Sequence, residues 1–96
     1  MNASLVDKKD EIEELGLSAI EEYFKIDRDE LENLDKNTLD HLHKRAKLGM
    51  QFEREMGVSK RAVEMNYIRV FRLIAEDKKE LKRLIKKSLP KYYAGD

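Results

Sequence analysis

Residues 59–77 read Ser-Lys-Arg-Ala-Val-Glu-Met-Asn-Tyr-Ile-Arg-Val-Phe-Arg-Leu-Ile-Ala-Glu-Asp. Val63, Tyr67, Val70, Phe71 and Ile74 recur every three or four positions, which gathers them on one face of a helix. Ser59 stands just ahead of that stripe, and its hydroxyl can accept from the free amides of a first turn. The pattern predicts a helix from Ser59 that supplies the main apolar stripe of an all-α domain. Beyond it, Asp77 and Glu80 carry the spacing of a capping box, which favours a break or kink there. Leu81, Leu84, Ile85 and Leu89 keep helical spacing on either reading, up to Pro90, which is expected to end the helix.

Working back toward the N-terminus, helical spacing persists. Asn37 or Thr38 is expected to start a helix reaching about Met56, with Gly57 just past its end. Leu39, Leu42, Ala46, Gly49 and Met50 form its apolar stripe, with Phe52 and Met56 alongside. Asp27 and Glu30 cap a short turn bearing Leu31 and Leu34. Ser18 and Glu21 suggest a short helix over 19–25, with Ile20, Tyr23 and Phe24 buried. The first helix is expected over about 4–15, ended or weakened by Gly16, since glycine costs about 1 kcal/mol relative to alanine in a helix. The expected fold is therefore all-α: a small compact bundle of four to five helices, a single domain of 96 residues with a flexible tail over 90–96.

Composition narrows the function classes. Charged residues make up 42% of the chain against a usual share of about a quarter, while 41% hydrophobic residues suffice for one modest core. Cysteine is absent, which excludes a disulfide framework, a thiolate metal site and a cysteine nucleophile. Neither a membrane-spanning apolar run nor a secretory h-region is evident, so the expected location is cytoplasmic. Lys and Glu dominate the charges and Gln51 is the only glutamine, a bias typical of proteins from hot habitats.

The net charge of zero conceals a division. Residues 1–40 hold thirteen acids against five bases, a net of −8, and residues 41–96 balance them at +8. Such asymmetry suggests an anionic partner for the basic half, or mutual neutralisation of the two halves.

Three constellations bear on partners. The segment 52–63, Phe-Glu-Arg-Glu-Met-Gly-Val-Ser-Lys-Arg-Ala-Val, resembles a helix-turn-helix. Gly57, Val58, Ser59 and Val63 match that motif, and Phe52 and Met56 occupy its apolar places. Glu53 and Asn66 depart from it, standing where apolar residues are usual. The resemblance covers about twenty residues and implies a DNA-binding helix pair, with Lys60 and Arg61 at the start of the recognition helix and Arg69 farther along it. Second, Lys79, Lys82, Arg83, Lys86 and Lys87 lie opposite the Leu81/Leu84/Ile85 stripe; they read as the footprint of phosphate binding, as a match for an acidic protein surface, or as a solvated face. Third, Met65, Ile68 and Arg72 lie opposite the core stripe of residues 59–77. They read either as a partner or dimer surface, or as the second buried side of a central helix.

Catalytic signals are weak. His41 and His43 point about 200° apart on a helix and lack a third ligand, so no metal is expected. The paired carboxylates, such as Glu13/Glu14 and Glu21/Glu22, fall on polar helix faces. No phosphate loop or nucleophile elbow is present. The expectation is a non-enzymatic module without cofactor, a small nucleic-acid-binding regulator or accessory factor acting through its basic half. The rival is a protein–protein adaptor or accessory subunit, with no membrane role in either case.

Overall fold

A computed structural model describes residues 3–50 and 59–92, with side chains over 11–50 and 59–87. Five helices and no strand occur among them: α1 (Ala3–Phe24), α2 (Arg28–Glu32), α3 (Lys36–Gly49), α4 (Lys60–Asp77) and α5 (Lys79–Tyr92). The all-α bundle read from apolar spacing is the observed architecture.

α4 is the central element, with α1, α3 and α5 all packed on it. Val63, Tyr67, Val70, Phe71 and Ile74 are buried, as their spacing requires, and so are Asn66 and Ala75. Ser59 caps the helix, its hydroxyl accepting from the Ala62 amide at 3.1 Å. The core draws on every helix: Ile20 and Phe24 from α1, Leu31 from α2, Leu42 and Ala46 from α3, Leu81 and Leu84 from α5. Burying a large apolar side chain contributes roughly 1.5–3 kcal/mol. An exposed ion pair contributes about 0–1 kcal/mol. Packing on α4, rather than the abundant surface charge, therefore holds the helices together.

Several helix boundaries differ from the sequence reading. Gly16 does not divide α1, which runs unbroken from Ala3 to Phe24. A Cβ at Gly16 would collide with the Tyr67 ring, so this glycine permits α1 and α4 to approach closely. Ser18 is consequently no cap; its hydroxyl donates to Glu14 and accepts from Arg28. α1 ends at Phe24, one residue short of the expected end, and the φ of 57° at Lys25 just beyond it lies in the left-handed region. The Ile26 amide donates back to the Glu21 carbonyl at 3.1 Å, closing a Schellman turn that tucks Ile26 into the core.

α3 begins at Lys36, capped by Asp35, whose carboxylate accepts from the Asn37 amide and the Thr38 hydroxyl. It ends at Gly49 rather than near Met56. A Cβ on Gly49 would press into Asn66 on α4, so the last turn of α3 sits hard against its neighbour. The expected turn around Gly57, with Phe52, Glu53, Met56 and Val58, lies outside the described residues.

The break after α4 is real, but falls on Lys78 rather than Asp77. Lys78 is extended, at φ −114° and ψ 124°, and its carbonyl accepts from Lys82 at 3.0 Å. At the far end, Pro90 does not stop α5, which continues to Tyr92. A proline penalises the helix interior through a lost amide and a clash with the preceding turn. Two residues from the terminus, Pro90 does not end the helix. The part of the expected tail over 93–96 is outside the described residues.

Candidate nucleic-acid interface

The basic face of α5 follows from its sequence period. At 100° per residue, Lys79, Lys82, Arg83 and Lys86 fall within an arc of about 100° and a rise of about 10 Å. Leu81, Leu84 and Ile85 fall on the other side and pack into the core. All four basic residues are exposed, and none forms an ion pair with another described residue. Lys87, at the edge of this arc, is drawn toward Glu30 on α2 at 3.4 Å. Lys78 is exposed at the head of the helix.

The acidic half leaves this face open because its own pairs lie elsewhere. Arg28 on α2 reaches back to α1, donating to Glu21 at 2.7 Å, to both Glu14 oxygens at 2.9 Å and to Ser18 at 2.8 Å. Hydrogen bonding from Arg28 holds the Glu14 carboxyl below its usual range, and Arg28 is the more firmly protonated in return. Between the two halves, the described ion pairs are Lys47 with Glu13 and Lys87 with Glu30. Both leave the α5 arc unneutralised.

Lys60 and Arg61 are exposed at the first turn of α4. They start α4, and α5 begins just past its other end, 18 residues later. At 1.5 Å per residue that is about 27 Å along the helix. Arg61 also shares a shallow groove with Glu22, Lys25 and Glu64, so acids of α1 and α4 flank it. Arg69 is exposed but tied, its Nη2 donating to Asn66 Oδ1 at 3.0 Å. Asn66, an anomaly in the sequence, is buried and satisfied: it also donates to the Ala62 carbonyl at 2.8 Å.

The third constellation is present as an outward strip of α4. Met65 is 53% exposed, Ile68 half-buried, and Arg72 exposed. Tyr23, expected in the core, is instead 44% exposed beside them. Its ring meets Phe24 edge-on at 5.0 Å, and its hydroxyl accepts from Arg72 Nη2 at 3.1 Å. The Arg72 guanidinium also lies over the Tyr23 and Phe24 rings. A tyrosine can cover apolar surface while its hydroxyl stays wet, which the period alone does not distinguish from burial.

His43 is held by Tyr67, with Nδ1 and the phenol oxygen 2.8 Å apart, while His41 is exposed. Burial, reinforced by the Glu13 charge, pushes the Tyr67 phenol pKa upward. Among the described residues no group of three His, Cys, Asp or Glu side chains could hold a metal ion. No described helix is long and apolar enough to cross a membrane. No family model, curated protein or solved structure matches this chain.

Proposed function

We propose that this protein is a non-catalytic nucleic-acid-binding module whose contacts are made mainly to the phosphate backbone, through Lys79, Lys82, Arg83 and Lys86 of α5. The observation that carries the reading is that these four cations share one exposed arc with no acidic partner among the described residues. Their apolar opposite side is anchored in the core, so the face is presented on a rigid helix. Phosphate contacts of this kind give affinity without sequence preference, because each neutralised phosphate releases counterions. Lys60 and Arg61, the start of the helix-turn-helix-like segment, lie about 27 Å along α4 from the start of α5. Base reading by α4 is disfavoured by the three helices packed on it.

Fluorescence anisotropy of a labelled DNA duplex, from low to physiological salt, tests this. Micromolar or tighter binding is expected at low salt, with a log–log salt slope of about −3 to −4 for three or four phosphates. Lys82→Ala and Lys86→Ala should each reduce that slope by about 1 and weaken all sequences alike. Absence of binding at low salt overturns the proposal and leaves the adaptor reading in its place.

A further inference from the structure

Arg69 and Arg72 are exposed on the outward side of α4. Side chains three positions apart on a helix are neighbours, so the two charges repel each other. Each is nevertheless held in place by a neutral group. Arg69 donates from Nη2 to Oδ1 of Asn66, which is itself anchored on the Ala62 carbonyl. Arg72 donates from Nη2 to the Tyr23 hydroxyl, and its guanidinium lies 5.6 Å from the centre of the Tyr23 ring. A guanidinium carries several N–H donors in a fixed fork, and neither arginine forms an ion pair with another described residue. Both forks are therefore oriented while their charge is unanswered. The surface around them is apolar. A groove runs along α4 between Tyr23 of α1 and Gly49 of α3, with Met65, Ile68 and Leu73 beside the arginines. Met65 and Leu73 are 53% and 51% exposed.

We propose that this groove docks an acidic amphipathic helix of another protein, with two carboxylates one turn apart on Arg69 and Arg72 and apolar side chains over Met65 and Leu73. Charge complementarity selects the occupant. A carboxylate matches the guanidinium fork with two parallel hydrogen bonds, and two of them relieve the repulsion between the arginines. Cations already held by Asn66 and Tyr23 lose little further freedom on binding. Glu76 closes the groove at its C-terminal end, where a further acid is repelled. A polyanionic nucleic-acid strand therefore suits the groove less well than a segment with only two acids, and it leaves Met65 and Leu73 uncovered. The α5 arc plays no part in it, so the proposal stands or falls independently of nucleic-acid binding.

Fluorescence anisotropy of a labelled synthetic peptide, titrated with the full chain at low salt, tests it. The probe is an amphipathic helix with two glutamates one turn apart at the edge of a leucine face. Its Kd is expected at about 100 µM or tighter. Replacing both glutamates by glutamine should weaken binding by about tenfold or more. Arg69→Glu and Arg72→Glu, both at exposed sites, should each do the same with unchanged helicity by circular dichroism. A probe with lysines in place of the glutamates should recover affinity for the Arg69→Glu/Arg72→Glu double variant. Lys82→Ala, on α5, should bind the probe as the wild type does. No binding of the glutamate probe up to about 1 mM overturns the proposal. So do a glutamine probe that binds equally well, or arginine variants that bind like the wild type. Displacement of the probe from the Lys82→Ala protein by duplex DNA also overturns it, and gives the groove to nucleic acid instead.

Discussion

Gly16 and Tyr67 show how one residue can change the reading of a whole helix. Local propensity makes Gly16 a weak point in α1, but the Tyr67 ring occupies the space where a side chain would be. Gly16→Ala should therefore destabilise the protein by about 1–3 kcal/mol, although alanine is the better helix former. A urea midpoint equal to or above wild type would contradict this. Tyr67 carries a second prediction. Its phenol pKa is raised in the folded state, so the unfolded chain releases that proton first as pH rises above about 10. Stability from this group is complete below the unfolded value and declines above it. Comparing Tyr67→Phe with wild type by denaturation at pH 8 and pH 11 should show a smaller alkaline loss in the variant. At pH 8 the lost bond to His43 should cost about 1 kcal/mol.

At the scale of the helix, ends follow capping chemistry where the chemistry is local, and neighbours where it is not. Ser59 was legible because a capping hydroxyl needs only the next turn, and Ser59→Ala should cost about 1 kcal/mol in thermal or chemical denaturation. Lys25 is the opposite case. A left-handed C′ position favours glycine, and a lysine there is held at a cost of about 1 kcal/mol by the Schellman bond and the burial of Ile26. Lys25→Gly should stabilise the protein by up to that amount, raising Tm by about 4–8 °C. A fall in Tm would show that the lysine side chain makes a compensating contact. The α4/α5 break was legible to within one residue, since the capping signature marks a junction but not which residue turns extended.

For the molecule as a whole, the acidic and basic halves of the sequence are not separate structural units. α1 and α2, from the acidic half, pack with α3, α4 and α5 around one apolar cluster, and among the described residues two ion pairs link the halves. Unfolding should accordingly be a single transition, with helix ellipticity and tyrosine fluorescence melting together. Separated transitions would mean that the acidic half detaches first. The charge division was plain in the sequence, but its consequence was not: whether acids cover bases depends on which helix faces meet. Arg28 engages Glu14 and Glu21 within the acidic half, and that arrangement leaves the α5 arc open.

The sequence by itself determined the helical class, the core stripe of α4, the Ser59 cap and the existence of a basic face on α5. Each depends on spacing within one helix, where the 3.6-residue period fixes which side chains share a side. Only the tertiary structure decided that Gly16 lies within a helix, that Tyr23 faces outward and that α4 is central. These depend on distances between helices that no local period encodes, because they are set by how side chains from different segments fill a common interior.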